Sequence, residues 1–324
     1  MTFAIVGYGT VGQATRAAAE FHGHECVGII DPSLSLGVST VGNAALGLRA
    51  TGAESCTRLR EADLAFVCVP TPSLLDDSCD TSAVREAVAD LEAWGYQGAV
   101  VIRSTVPPML LEDLALNAQL TDRRRFLANP EFLRVRDIEH TSRWPNYVVI
   151  GGNPQWSLVS TEQDPWIRKL ADFYRPYFDD KVQPPIFVTD YRTAAFYKYL
   201  SNVLIAGVVS LADECWEVAQ ALGVDWETCH AIAQRCPVTP KTIRVDPEDR
   251  GFGGACLPKD VAAFDQFSRG KRPTEEVVWR RQDWPSFVEL MTYRNELLRA
   301  GSGSTEATLQ QNQEGAGNRQ EVSR

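Results

Sequence analysis

The sequence is poor in histidine and has no closely spaced cysteine pair. Only 4 histidines occur in 324 residues, and the 8 cysteines include no C-x-x-C pair and no spacing typical of metal ligands. These absences argue against a metal site and against a disulfide framework. We therefore interpret seven of the cysteines as packing residues, because a thiol outside such patterns usually behaves as a small apolar side chain.

An excess of basic residues and a long apolar run are also missing. The 32 lysines and arginines are outnumbered by 42 acidic residues, a net charge of −10 that argues against a nucleic-acid partner. No apolar run approaches the roughly 18 residues of a membrane span. The opening segment lacks the basic flank and apolar core of a signal peptide. We expect a cytoplasmic enzyme without a membrane partner, and the length favours two domains.

A dinucleotide-binding fingerprint opens the chain. A predicted strand over 2–6 is followed by G-Y-G-T-V-G, a predicted helix over about 11–21, and a second strand over 26–30 that ends at an acid. The alternative is a glycine turn in another kind of α/β unit. Asp31 would bind the adenosine ribose hydroxyls and repel a 2′-phosphate, which favours NAD over NADP. The candidate cofactor residues are Gly7, Tyr8, Gly9, Thr10, Val11, Gly12 and Asp31.

Strands alternating with helical patterns predict an α/β domain with a doubly wound, Rossmann-type parallel sheet. Further strands are predicted over 64–69, 99–103, 126–128, 147–150 and 186–189. Ligands of such sheets gather at the carboxyl ends of the strands, where three proline-containing loops fall. Simple turn chemistry is the alternative for each loop. The loops cover residues 69–72, 104–107 and 129–132.

From residue 190 the pattern becomes helical, which predicts an all-α second domain. A long central helix is expected to end at Leu222 before Gly223, and its wide apolar stripe suits a dimer interface. Lys198 and Asn202 share one face of this helix. A last amphipathic helix is predicted over 284–299, and the polar remainder is expected to be disordered. The predicted domains are 1–189, 190–300 and a tail over 301–324.

The run G-F-G-G-A-C-L-P-K-D, residues 251–260, carries the strongest chemical signal. Its glycines allow close approach of a ligand, and Pro258 suits the first turn of a helix. Cys256 is therefore expected at a helix N-terminus, where the dipole favours the nucleophilic thiolate. Lys259 and Asp260 add a cation and an acid within one turn. The alternative is a glycine-rich turn followed by a buried cysteine.

The order of motifs over residues 1 to about 300 resembles the UDP-glucose/GDP-mannose dehydrogenase family. The resemblance implies NAD-dependent, four-electron oxidation of a nucleotide-sugar primary alcohol to a carboxylate. The apolar stripe of the helix over 190–222 separately suggests a homodimer. The motifs are GYGTVG, CVPTP from Cys68, STVPP from Ser104, NPEFLR from Asn129, YKYLSN from Tyr197 and GFGGACLPKD from Gly251.

The resemblance also implies roles for individual residues. Cys256 would attack the intermediate aldehyde, and Lys198 would stabilise the oxyanion with Asn202 as its partner. Asp260 would hold Lys198 and the water, Glu131 would act as general base, and Thr105 would lie beside the water. Lys259 would face the pyrophosphate. Further cofactor contacts are implied for Val69, Pro70, Thr71, Ser104 and Thr105, and substrate contacts for Phe132, Leu133, Arg134, Lys198, Asn202, Phe252 and Gly253.

Several positions depart from the family pattern. Val135 replaces a usual second acid, Met109 replaces a glycine, and the expected basic residue is matched only loosely by Lys241 or Arg244. The family's C-terminal nucleotide-sugar-binding domain is not expected within this sequence, so the resemblance does not indicate how a nucleotide is held. Two alternatives stay open: a two-electron hydroxyacid or sugar-acid dehydrogenase that uses Lys198 and Asn202, and a non-catalytic NAD-binding remnant.

Overall fold

The computed structural model describes residues 1–31, 59–117, 125–153, 164–178, 185–237, 240, 245–246, 248–268 and 287–301. The predictions for Lys241, Arg244, the side chain of Val135, the start of the last helix and the tail beyond 301 lie outside the described residues. The chain forms two compact units. The first comprises Met1–Leu74 and Cys79–Lys198, and the second comprises Leu75–Ser78 and Tyr199–Arg324.

The first unit contains a seven-stranded sheet in the order β2-β1-β3-β4-β5-β6-β7. The strands are β1 (Thr2–Val6), β2 (Glu25–Ile30), β3 (Leu64–Val67), β4 (Ala99–Ile102), β5 (Phe126–Ala128), β6 (Val148–Gly152) and β7 (Ile186–Asp190). The α-helices in the described part of the chain are α1 (Thr10–Phe21), α2 (Ser82–Ala93), α3 (Leu110–Asn117), α4 (Ile138–Arg143), α5 (Pro165–Tyr174), α6 (Tyr191–Leu222), α7 (Trp226–Arg235), α8 (Leu257–Ser268) and α9 (Phe287–Gly301).

The sheet is mostly parallel, as predicted, with one antiparallel pair. Strand β5 pairs with β6 antiparallel through Ala128 and Gly151, whereas the other neighbouring pairs are parallel. A parallel neighbour needs a crossover that returns the chain to the start of the previous strand. The connection from 129 to 147 contains only a short 3-10 turn and the six-residue helix α4. Strand β6 therefore starts at the end of the sheet where β5 finishes, and it runs in the opposite direction.

Central strands of the sheet are apolar throughout because both of their faces are covered. All residues of β3 and β4 are buried. Alternate side chains belong to two separate cores, with Val67 and Ile102 on one face and Phe66 and Val101 on the other. Strand β3 ends two residues earlier than predicted and β4 one residue earlier. The polar loops that follow them therefore begin closer to the sheet.

The described elements of the second unit are helical, which agrees with the predicted all-α class. Helix α6 ends as predicted before Gly223, whose φ of +67° closes the helix while the Val224 N–H donates to the Ala219 carbonyl at 2.8 Å. A small core joins four residues of this unit, Ala206, Phe252, Val261 and Met291. By length and composition alone α6 could cross a membrane, but a core helix meets the same criterion.

Candidate active site

The fingerprint turn between β1 and α1 is enclosed by the main chain. Gly7 has a φ of +91°, and a Cβ on it would lie 2.7 Å from the Cys68 carbonyl oxygen. A Cβ on Gly12 would overlap the carbonyl oxygen of Gly7. By contrast, a Cβ on Gly9 would meet open space. The turn is therefore tight where it packs against its own unit and open at Gly9, as close approach of a pyrophosphate requires.

The start of α1 has the geometry of an anion site. Gly9 is the N-cap, and its carbonyl accepts from the Gln13 N–H at 2.9 Å. The first N–H groups of a helix carry partial positive charge and bind phosphate. Asp31 follows β2 directly and accepts from the Tyr8 N–H at 2.5 Å. Acid, turn and helix start are thus brought together, and these residues fit the dinucleotide that the fingerprint predicts.

The loops after β3 and β4 are tied to each other. The Thr71 hydroxyl donates to the Thr105 carbonyl at 2.9 Å, and the Ser104 hydroxyl donates to the Val69 carbonyl at 2.7 Å. Val69, Pro70, Thr71, Ser104 and Thr105 therefore lie side by side where two adjacent parallel strands end. This is the edge at which such sheets bind ligands.

A buried cluster of hydrogen-bonded side chains, which supports the loop after β5, was not predicted from the sequence. Arg103 Nη1 and the Tyr174 hydroxyl each donate to Asn129 Oδ1 at 2.6 Å, and Asn129 Nδ2 donates to the Val149 carbonyl at 2.9 Å. Asn129 is thereby fixed two residues before Glu131. The N-P-E-F motif pointed to Asn129, but Tyr174 lies in no motif and could not have been selected.

Glu131 forms a buried ion pair with Lys198 within the first unit. Lys198 Nζ lies 3.1 Å from Glu131 Oε1, and the two side chains are 6% and 9% exposed. The Leu133 N–H donates to Glu131 Oε2 at 2.7 Å. Burial raises the pKa of Glu131, but the charge of Lys198 and the Leu133 hydrogen bond outweigh it, so the pKa lies below its ordinary value. Glu131 is therefore held as a carboxylate.

Aromatic rings cover the side of this ion pair. The Phe132 ring lies 5.4 Å from Lys198 Nζ, 5.0 Å from the Tyr147 ring and 5.6 Å from the Tyr197 ring. Burial, together with the Tyr197 hydroxyl, raises the pKa of Tyr147, which therefore remains neutral. Arg134, at the end of the same loop, is exposed and donates its backbone N–H to Thr141 at 3.2 Å. Of these two predicted substrate residues, Phe132 therefore packs against the ammonium group of Lys198, whereas Arg134 is exposed.

Cys256 lies at the N-terminus of α8, as predicted. Its carbonyl accepts from the Asp260 N–H at 2.9 Å, which makes Cys256 the residue that caps the helix. Its side chain is exposed, so the alternative of a buried packing cysteine is wrong. Cys68 differs from it, because burial raises the pKa of that thiol to about 12. Cys256 therefore has the exposure and the helix position that a nucleophilic thiol requires.

The packing interpretation of the other cysteines needs correction at two positions. Cys215 and Cys229 are exposed on helices α6 and α7, whereas Cys26, Cys79 and Cys236 are partly buried. Cys215 lies on α6, whose apolar stripe is wider than the face that its own unit covers. Neither Cys215 nor Cys229 follows a glycine run or caps a helix start.

Asp260 is a buried acid of the second unit. It is 1% exposed and accepts from Asn202 Nδ2 at 2.5 Å and from Lys259 Nζ at 2.6 Å. Asn202 is thus bonded to Asp260, whereas Lys198, four residues earlier on α6, is bonded to Glu131. Lys259, predicted to face a pyrophosphate, lies against Asp260. The predicted substrate residue Phe252 is only 2% exposed, so its ring belongs to the core.

Two family models match this chain. Residues 37–172 match the NAD binding domain of the UDP-glucose/GDP-mannose dehydrogenase family, and residues 192–279 match the central domain of the same family. The described residues of the fingerprint precede the first matched range, and α9 follows the second.

Sequence and structure comparisons give the same picture. The chain is 27% identical over 310 residues to a putative UDP-glucose 6-dehydrogenase of Bacillus subtilis, covering 86% of this chain and 66% of the relative. It is 29% identical over 292 residues to the GDP-mannose 6-dehydrogenase of Pseudomonas aeruginosa, covering 82% and 63%. A UDP-glucose dehydrogenase structure from Pyrobaculum islandicum shares the fold, with a TM-score of 0.65, 23% identity and coverage of 94% and 68%. The chain thus spans about two thirds of the length of these relatives.

Proposed function

The chain belongs to the UDP-glucose/GDP-mannose dehydrogenase family, and we propose that it oxidises the primary alcohol of a sugar nucleotide to a carboxylate with NAD. The observation that carries this proposal is the exposed Cys256 at the start of α8, one turn before the buried Asp260. The nucleotide-sugar class rests on the names of the relatives, a putative UDP-glucose 6-dehydrogenase and a GDP-mannose 6-dehydrogenase.

Oxidation of an alcohol to an acid removes four electrons, and NAD, when bound, accepts them as two hydrides in successive steps. We assign to Cys256 the task of keeping the aldehyde bound between the two steps. The thiolate adds to the aldehyde carbon and the oxygen gains a proton, which forms a thiohemiacetal. Loss of the second hydride and of a proton leaves a thioester on Cys256. Water then displaces the sulfur and releases the carboxylate and the thiol.

The ion pair of the first unit supports the assignment of two further roles. Lys198 would stabilise the negative oxygen that forms when sulfur or water adds to the carbonyl carbon. Its present partner is Glu131 Oε1. While this pair is intact, the pKa of Glu131 is lowered and the carboxylate is a weak base. When Lys198 bonds to a substrate oxygen instead, Glu131 becomes more basic and can take a proton from the attacking water.

Asn202, Asp260 and Thr105 complete the proposed machinery. Asn202 donates to Asp260 at 2.5 Å, so its amide is oriented by a buried carboxylate. An oriented amide offers a fixed hydrogen bond to a substrate oxygen, and a held carboxylate orients a water without first having to rearrange. Thr105 lies in the loop that Thr71 ties down. We assign it to the water that cleaves the thioester.

The direct test is the stoichiometry of NADH on a panel of UDP-glucose, GDP-mannose and their free sugars, with the product mass recorded. The proposal expects two NADH per substrate and a carboxylate product. Cys256→Ser is expected to bind NAD normally and to release no acid, whereas Cys229→Ser, an exposed matched control, is expected to retain activity. One NADH with an aldehyde or ketone product would favour the two-electron alternative. NAD binding without any turnover would favour the non-catalytic remnant, and acid release by Cys256→Ser would remove the covalent step.

We also propose a homodimer formed through α6. Leu204, Leu211 and Val218 are 59%, 61% and 55% exposed and follow one another at intervals of seven residues. An apolar stripe with this period is typical of helices that pack against a second helix. We expect Leu211→Glu to reduce the molar mass measured by light scattering to that of a monomer. Gln220→Glu, on an exposed position outside the stripe, is the control, and an unchanged mass for Leu211→Glu would contradict the proposal.

A further inference from the structure

The glycine run before Cys256 is held by two buried side chains from different helices. The Gly251 N–H donates to Asp213 Oδ2 of α6 at 2.9 Å, and the next N–H, of Phe252, donates to Asn295 Oδ1 of α9 at 2.7 Å. Asp213 and Asn295 are 2% and 6% exposed. Two consecutive main-chain donors are therefore fixed by acceptors that solvent cannot replace.

Helix α9 also occupies the space that the missing side chains of the glycines leave. Gly251 has a φ of +82°, and a Cβ on it would overlap Asn295 Oδ1. A Cβ on Gly253 would lie 2.5 Å from Arg299 Nη1. Residues one turn apart on α9 thus pack against the run, and the glycines are the residues that permit this close packing.

Ion pairs connect the two helices behind the run. Arg250 Nη2 lies 2.7 Å from Glu217 Oε1 of α6, and Arg294 Nη2 of α9 lies 2.6 Å from Glu217 Oε2. Met291 of α9 is 3% exposed and packs in the core that contains the Phe252 ring. Helix α9 is therefore bound to the rest of its unit at Met291 and Arg294, in the turn that precedes Asn295.

We propose that Asn295 is a positioning residue that fixes the glycine run and thereby the thiol of Cys256. This proposal rests on the catalytic role given to Cys256 above. Three residues lie between Phe252 and Cys256, and three of the four residues 251–254 are glycines, which without external acceptors sample many conformations. A displacement of about 1 Å at a reacting group can reduce the rate about 100-fold. Asn295 itself touches no reacting atom.

The test compares Asn295→Leu, which removes the acceptor at similar size, with Asn295→Asp, which retains Oδ1. Glu296→Leu is the matched control, because Glu296 is the exposed neighbour on α9. The turnover number of Asn295→Leu is expected to fall about 10- to 100-fold at nearly unchanged KM for NAD, and Asn295→Asp is expected to recover most of it. Glu296→Leu is expected to behave as the unaltered chain.

A second readout does not depend on turnover. The rate of iodoacetamide labelling at Cys256 is measured by peptide mass spectrometry relative to the exposed Cys229 in the same molecule. We expect this ratio to fall several-fold in Asn295→Leu and to recover in Asn295→Asp, because a displaced thiol loses the helix N-terminus that favours its thiolate. If the chain has no activity on any substrate but the ratio still falls, the proposed function fails while the positioning role stands.

Two outcomes would overturn the proposal. The first is an unchanged labelling ratio and turnover number in Asn295→Leu, even if its melting temperature falls, because Asn295 would then be only structural. The second applies if Asn295→Leu does not fold. In that case Asn295→Ala, which removes the acceptor without adding an apolar side chain, takes its place, and an unchanged ratio and turnover number in that variant would contradict the inference.

Discussion

The two glycine loops of this protein are enclosed by different parts of their units. The fingerprint turn at 7–12 is surrounded by main-chain atoms, namely the carbonyls of Cys68 and of its own Gly7. The run at 251–254 is enclosed at Gly251 and Gly253 by side chains of α9, namely Asn295 and Arg299. Main-chain atoms of a buried sheet cannot move aside, whereas side chains can change rotamer. The first loop is therefore rigid. The conformation of the second depends on side chains of α9, a helix that is distant in sequence.

Two buried acids, one from each unit, show the same contrast. Glu131 has one ionic partner, the 6%-exposed Lys198. Asp260 has two donors, Asn202 and Lys259, and Lys259 is 21% exposed. Loss of one donor leaves Asp260 with another, whereas loss of Lys198 leaves Glu131, among the described residues, with the Leu133 N–H and the more distant charge of Arg103. Glu131 should therefore tolerate the loss of its lysine less well than Asp260 does.

The largest expected effect tests this contrast between the acids. Lys198→Met leaves a buried carboxylate without its cation, and we expect it to lower the free energy of unfolding by about 3–5 kcal/mol at pH 7.5. Lys259→Met is expected to cost only about 1–2 kcal/mol, since the hydrogen bond from Asn202 remains. Urea unfolding of the two variants measures the difference, and equal losses would contradict the comparison.

The pH dependence of the unfolding free energy tests whether Glu131 causes the loss of stability in Lys198→Met. The pKa of Glu131 is lowered in the folded chain, so its contribution to stability is complete above the unfolded value of 4.5 and is lost as the pH falls through the folded value. In Lys198→Met, protonation of the Glu131 carboxyl removes the cost of a buried negative charge without a cation. The loss of stability should therefore be largest at pH 7.5 and shrink as the pH approaches 4.5. A loss that is independent of pH would assign the effect to packing of the lysine stem.

A second prediction concerns the rigid loop. Gly12→Ala places a Cβ on the carbonyl oxygen of Gly7, and we expect a loss of about 3 kcal/mol or more in the free energy of unfolding. Gly9→Ala is the matched control, because its Cβ meets open space and should change stability by less than about 0.5 kcal/mol. NAD binding, followed by calorimetry, should nevertheless weaken in Gly9→Ala, since the methyl group lies where the pyrophosphate would approach. Similar stability losses in the two variants would contradict the enclosure by main chain.

The same contrast explains what the sequence could and could not predict. The fingerprint, the strands and the position of Cys256 before a helix depend on residues close together along the chain, so spacing and periodicity predict them. Tyr174 and Asn295 act 45 and 43 residues away from their partners Asn129 and Phe252. Neither lies in a motif, and no local pattern identifies such a partner. Sequence predicts which loops carry chemistry, but not which distant side chains hold them.

Side-chain direction was the other information that the sequence lacked. Lys198 and Asn202 share a helix face, as predicted, but the structure gives each a different acid, Glu131 for the lysine and Asp260 for the amide. Phe252 lies within a glycine-rich loop of the kind that binds ligands, yet its ring packs in the core. Spacing along a helix or loop fixes which residues are neighbours, whereas the choice among nearby partners depends on packing across the unit.

The smallest expected effects lie within the adaptable loop and separate its two α9 contacts. Gly251→Ala combines a positive φ with overlap on the buried Asn295, and we expect a loss of about 1–3 kcal/mol in the free energy of unfolding. In Gly253→Ala the new methyl group meets only the end of the Arg299 side chain, which is long and can change rotamer, so the loss should stay below about 1 kcal/mol. Thermal and urea unfolding of both variants, with the double variant Gly253→Ala/Arg299→Ala, measure this. If Gly253→Ala costs as much as Gly251→Ala, and the double variant is clearly more stable than the two single changes predict, Arg299 is as fixed as a main-chain atom, and the contrast between the two loops fails.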